Sequence, residues 1–333
     1  MTVQEKLTRT GFTALAPKPK RNNSIDMTLA KNPGGRRTPG RKYSLVGVCL
    51  TTAVVLAGCG QGSAPTAQPS VPAHSTAVPA AIPDGQCGDS QSGRYVVESF
   101  SPAPVMTVTF TGDLQADVYQ PADDPAACRV GVIWVHGGGF TQATRNGPAE
   151  QAWGAALAGR GFVLVAIDYR LGSGEPFGLD QATDPDRVAI VSDAIADATA
   201  AVRWLRTSAS QWRVDPDRLV IGGTSAGAMT ALGAALTNPD DGRPCAVVSI
   251  SGDLDSEWVG PTPVPALFVH GDADMLVPYR SSVDAVQTLT AAGGQAQLVA
   301  ISGAGHEITG IPPGDVIDAV ARWLHEVAAV GCG

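Results

Sequence analysis

Beyond residue 95 the chain shifts repeatedly between a period of two, continuous apolar runs and a period near 3.6. Residues 95–100, 106–110 and 115–119 alternate polar and apolar positions, which predicts short strands entering a sheet in antiparallel fashion. Six near-continuous apolar runs follow, at 130–135, 163–167, 219–221, 246–250, 266–269 and 297–301. That is the pattern of strands buried on both faces. Helical spacing occupies the intervals, at 149–158, 186–209, 226–236, 281–291 and 315–327. Such alternation predicts an α/β fold with a doubly wound, mostly parallel sheet. Neither an internal repeat nor a second linker interrupts it, so residues 87–333 are expected to form one domain.

The preceding residues read differently. Residues 45–57 carry no charge and follow a strongly basic stretch. Thirteen such residues suit the apolar core of a signal peptide and are too few to span a bilayer as a helix. The run closes in Leu56-Ala57-Gly58-Cys59, which resembles the bacterial lipobox. That resemblance implies cleavage after residue 58 and a lipid on the Cys59 thiol. An ordinary membrane anchor is the alternative. Met27 is a second candidate start, and Arg36-Arg37 leaves the choice between Sec and twin-arginine export open. Residues 59–86 are rich in Ala, Pro, Ser and Gln and are expected to be a disordered tether. The expected location is the extracytoplasmic face of a membrane, with secretion as the alternative.

Charge and cysteine sharpen this picture. The formal net charge of -8 averages two unlike parts: residues 1–59 hold ten Lys and Arg against Glu5 and Asp26. The remainder holds thirteen arginines, no lysine and 29 acidic residues, which argues against nucleic acid as a partner. Setting aside Cys49 and Cys59, four cysteines remain: Cys87, Cys128, Cys245 and Cys332. An even number in an exported chain suggests two disulfides, with the pairing open. No CxxC or paired histidine spacing points to a metal.

Two glycine motifs carry the chemistry. Gly223-Thr-Ser225-Ala-Gly227 stands between a predicted strand and a predicted helix, a context that makes the Gly-x-Ser-x-Gly pattern specific. A sharp strand-to-helix turn there would leave the serine hydroxyl exposed. His136-Gly-Gly-Gly-Phe140 follows another predicted strand, and its glycines let backbone N–H groups face a substrate oxygen. In this order the motifs resemble the α/β-hydrolase fold. The HGGG form resembles its carboxylesterase and hormone-sensitive-lipase-like branch, as do Asp168-Tyr-Arg-Leu171 and the segment from Asp117 to Pro121. The likeness covers roughly residues 90–328. It implies an eight-stranded sheet flanked by helices, and an oxyanion hole from the N–H groups of Gly138, Gly139 and Ala226. His136 is expected to be structural.

A serine nucleophile needs a base and an orienting acid. His74 lies in the tether, His325 in the last helical pattern, and His136 and His270 at the ends of buried strands. His306 follows the last predicted strand in a glycine-flanked loop, where the family places its catalytic histidine. The acid lies among Asp253, Asp255, Asp272 and Asp274. The run from Phe268 to Pro278 resembles the family's HGxxDxxVP segment, which selects Asp274, with Asp253 as the alternative. About fifteen residues separate 250 from 266, so no large cap domain is expected. Phe140, Phe177, Leu179, Trp258 and Met275 are candidates for the acyl pocket.

The resemblance therefore implies a serine carboxylic-ester hydrolase with no metal or organic cofactor, forming an acyl-enzyme on small or polysaccharide-linked esters. A prolyl-oligopeptidase-like peptidase and an inactive binding module are the alternatives. Its membrane contact is expected through the N-terminal lipid only. Accordingly, Cys59→Ala is expected to release the protein into the medium, read by fractionation and immunoblotting. Unchanged membrane retention would refute the lipid anchor.

Overall fold

The computed structural model describes residues 93–329 apart from 239, 240 and 311. The expected signal peptide, Cys59, the tether, Cys87 and Cys332 lie outside the described residues. Eight strands form one sheet: β1 (Met106–Thr111), β2 (Leu114–Tyr119), β3 (Arg129–Val135), β4 (Val163–Ile167), β5 (Val214–Thr224), β6 (Ala246–Ile250), β7 (Ala266–Gly271) and β8 (Ala296–Ile301). Their order is β1-β2-β4-β3-β5-β6-β7-β8. β1 and β2 run antiparallel to their neighbours, and every pairing from β4 to β8 is parallel.

β3, β4 and β6 are buried at every position, as the continuous apolar runs require. Helices cover both faces. Trp134 and Val248 pack with Trp153 of α1 (Pro148–Gly159) and Trp323 of α6 (Gly314–Ala329). Ile133 and Ile221 pack with Val202 of α2 (Pro185–Thr207), Leu232 of α4 (Ala226–Thr237) and Leu289 of α5 (Tyr279–Ala291). A short helix, α3 (Ala209–Trp212), leads into β5. From β3 the chain moves outward to β4, then returns to lay β5 on the other side of β3. The loops after β3 and β5 therefore diverge, and a crevice opens between them at the carboxyl ends of the strands.

Residues 95–100, expected as a strand, form turns instead. Tyr95 adopts φ 71° and is fully buried, with its ring against Phe162. The N–H groups of Tyr95, Ser99 and Phe100 donate to the carbonyls of Arg160 and Gly159, so the turn after α1 takes the place of a ladder partner. The alternation at 95–100 reflects a segment laid on the core edge-on. Cys128 and Cys245 each take part in a disulfide.

Beside Tyr95 lies a buried ionic cluster. Asp124 accepts two hydrogen bonds from Arg94 and one from Arg129 Nε at 2.6 Å, and all three side chains are almost wholly enclosed. Burial favours protonation of Asp124, but the two guanidiniums and the Ala126 N–H outweigh it and hold the carboxyl well below its usual range. Its stabilising charge is present above the unfolded-state carboxylate pKa and is lost only as pH falls through the depressed folded value. Removing the acid would leave two guanidiniums buried without it. Asp124→Ala is expected to lose about 3–5 kcal/mol in urea unfolding at neutral pH. A midpoint equal to that of the wild type would remove this cluster from the stabilising core.

Candidate active site

Ser225 stands alone between the end of β5 and the start of α4, at φ 52° and ψ −124°. Such a backbone costs a non-glycine residue about 1–3 kcal/mol and persists only where its surroundings impose it. Here they do. The Ser225 N–H donates to Ile250 O at 2.9 Å, and its carbonyl accepts from Met229 N–H at 3.1 Å. A Cβ at position 227 would run into the carbonyls of Val135 and His136, and one at position 223 into Val135 O. Glycine at both positions lets the first turn of α4 lie against the end of β3. The serine side chain is left at the apex.

His306 opens a short 3₁₀ turn, His306–Thr309, beyond β8. Its Nδ1–H donates to Asp274 Oδ2 at 2.8 Å, which leaves Nε2 to accept from the Ser225 hydroxyl at 3.0 Å. The Asp274 side chain is fully buried in the turn after β7, and its Oδ1 accepts from the N–H groups of Leu276 and Val277. Burial alone would raise its carboxyl. The bonds from His306, Val277 and Leu276 overcome that and hold it below the usual carboxylate range. A second histidine supports the turn. His270 donates from Nε2 to Val277 O at 2.9 Å and accepts at Nδ1 from the Ser282 hydroxyl at 2.6 Å. Burial keeps it below the usual histidine range, hence neutral. The other aspartates do different work: Asp272 accepts from Gly303 N–H, Asp255 caps the turn Ser256–Trp258, and Asp253 accepts from Leu254 N–H.

The loop after β3 runs through three positive φ values in succession: Gly138 at 105°, Gly139 at 55° and Phe140 at 63°. Among the described residues, the N–H groups of Gly138, Gly139 and Ala226 have no protein acceptor. The Tyr169 hydroxyl donates to the carbonyls of His136 and Gly137, and the His136 ring stacks on Tyr169 at 4.4 Å. Arg145 ties the far end of the loop to Asp117 on β2 and to Asp168 beyond β4. Thus His136 is packed into the support of the loop, and Asp168 and Tyr169 hold that loop, while Arg170 pairs with Asp193 and Asp197 of α2.

These groups meet at a cavity of about 510 Å³ lined by Gly137, Gly138 and Gly139, Ser225 and His306. Its walls include Phe177, Leu179, Met229, Leu276 and Val277. Phe177 and Leu179 were legible as pocket residues; three other candidates are not lining residues. Phe140 is fully buried behind Phe177, Trp258 packs by Gly233, and Met275 is 93% exposed. Leu276 lies on an irregular turn, where side-chain direction has no periodic signal. Met229 and Glu150 stand in the first turns of α4 and α1, and helical period does not say that those helix ends meet at one cavity.

A family model described as BD-FAE matches residues 116–257, a span that holds Gly138, Gly139 and Ser225 but ends before Asp274 and His306. The chain is 32% identical over 127 residues to para-nitrobenzyl esterase of Bacillus subtilis, covering 38% of this chain and 24% of that protein. It is 36% identical over 110 residues to fumonisin B1 esterase of Sphingopyxis macrogoltabida, covering 32% and 20%. The chain thus spans about a quarter or less of these curated relatives. Esterase 2 of Thermogutta terrifontis, solved as phosphorylated by paraoxon, superposes with a TM-score of 0.55 at 26% identity, over 68% of this chain and 95% of that one. The architecture is the α/β-hydrolase fold, with no cap evident.

The strain at position 225 has a thermodynamic signature. Ser225→Ala keeps a Cβ at positive φ, whereas Ser225→Gly relieves it. The glycine variant is expected to exceed the alanine variant in stability by about 1 kcal/mol, read as a higher thermal midpoint. The reverse order would show that the turn is not strained.

Proposed function

We propose that this protein is a serine carboxylic-ester hydrolase. One observation carries the reading: Ser225 Oγ, His306 and Asp274 form an unbroken hydrogen-bonded chain of 3.0 and 2.8 Å beside N–H groups with no protein partner. As the Ser225 oxygen attacks an ester carbonyl, its proton passes to His306 Nε2, and Asp274 stabilises the imidazolium. The carbonyl oxygen gains the negative charge, and the N–H groups of Gly138, Gly139 and Ala226 would bind it. Collapse of the intermediate breaks the bond to the alcohol oxygen, which takes the proton from His306. Water, deprotonated by the same histidine, then cleaves the acyl-enzyme.

Relatives that act as esterases by name support the bond class, though each match covers a minority of the chain. The His136–Phe140 motif favours the HGGG-bearing branch. The apolar walls suit a short acyl or alcohol group, and a polysaccharide could present such an ester at the cavity mouth. Action outside the cytoplasm, on a lipid anchor at Cys59, is supported by the lipobox-like segment and by the oxidised state of Cys128 and Cys245.

Turnover of p-nitrophenyl acetate and butyrate tests this reading. Ser225→Ala is expected to lower kcat by about 10⁶ and Asp274→Asn by about 10⁴, with circular dichroism unchanged. If wild type and Ser225→Ala turn over at the same rate, the nucleophile is assigned wrongly.

A further inference from the structure

The charged residues of the cavity are unbalanced. Beside His306, its lining includes Glu150, Asp180 and Asp253, and no arginine. Lysine is absent from the whole chain beyond residue 42. The nearby arginines are engaged elsewhere. Arg187 lies over the Phe177 ring at 4.9 Å and donates to Gln181 O, and Arg145 pairs with Asp117 and Asp168.

Glu150 is the unusual member of the set. It is 5% exposed, yet no side chain or backbone group of another described residue donates to its carboxylate. Burial pushes its carboxyl up, against the single hydrogen bond from its own backbone N–H. Position in the first turn of α1 adds the helix dipole. A carboxylate enclosed this way normally pairs with a cation. Asp253, partly buried, lines the same cavity, and burial with the nearby charge of Asp180 also raises its carboxyl. Two like-charged groups facing a shared space repel an anion and lack a counter-ion that a ligand could supply.

We propose that Glu150 and Asp253 make this cavity charge-selective, so that it prefers esters bearing an ammonium group and rejects those bearing a carboxylate. The proposal rests on the reading of Ser225 as an ester-cleaving nucleophile, and it adds the substrate class. A bound ammonium would restore the balance that the chain itself does not supply, in a space where apolar walls weaken competition from water.

The test compares choline butyrate with 3,3-dimethylbutyl butyrate, in which carbon replaces the quaternary nitrogen at nearly the same shape. Wild type is expected to show a kcat/KM about tenfold higher for the choline ester. That ratio should fall toward one in Glu150→Gln and in Asp253→Asn; because the ratio is the readout, a general loss of activity cancels. A wild-type ratio at or below one overturns the proposal, as does a ratio unchanged in both variants. Should one variant not fold, the other carries the comparison. Titration calorimetry on Ser225→Ala reads the same discrimination without turnover: tighter binding of the choline ester supports the proposal, and equal binding of the two esters overturns it. If wild type hydrolyses no ester, p-nitrophenyl butyrate included, the ester reading fails while the calorimetric comparison still decides charge selectivity.

Discussion

The site depends on how closely the first turn of α4 approaches the end of β3. The gap is one in which a Cβ at position 227 would strike the carbonyls of Val135 and His136. That approach forces β5 to turn sharply, places Ser225 at positive φ, and brings the serine beside the loop that starts at His136. The adjacency of β3 and β5 makes it possible, since Val135 pairs with Gly223 in the parallel register. Loosen this contact and the nucleophile relaxes away from the oxyanion loop. The strain is maintained by the sheet, which cannot yield without losing strands buried on both faces.

Around this point the protein uses backbone more than side chains. Asp274 is fixed by two N–H groups of its own turn, and His270 secures that turn through the Val277 carbonyl. The loop after β3 is held by a tyrosine hydroxyl on two carbonyls and by one arginine shared between two carboxylates. Each support acts on main chain near a reacting group, so the hydroxyl, imidazole and carboxylate keep their spacing in the absence of substrate. Arginine serves this framework throughout, in the Asp124 cluster and at Asp117 and Asp168. The cavity is left with acidic groups and no guanidinium of its own.

Much of this was legible because the determinants are local. Continuous apolar runs located six strands of the sheet, and the glycines flanking Ser225 marked a turn whose flanking positions have no room for a Cβ. The motif around Asp274 was read by likeness, since an aspartate capping a turn and one orienting a histidine look alike in isolation. Asp272 and Asp255 illustrate that: both cap turns, and neither touches His306. Residues 95–100 misled because alternation records which side chains are buried, whatever the backbone does. There Tyr95 is buried through a left-handed turn, with hydrogen bonds to the end of α1.

The sequence by itself therefore determined the order of strands and helices, the position of the nucleophilic turn and the glycine-rich loop, since periodicity and glycine requirements act over a few residues. Tertiary structure alone decided that Ser225, His306 and Asp274 lie within hydrogen-bond reach, although 81 and 32 residues separate His306 from its two partners. It also decided that Phe140 faces the core while Phe177 faces the cavity, and that Glu150 is enclosed without a donor from another described residue. Those outcomes depend on how the loops at the carboxyl ends of separate strands converge. Sheet order and packing set that convergence, and no short stretch of chain encodes it.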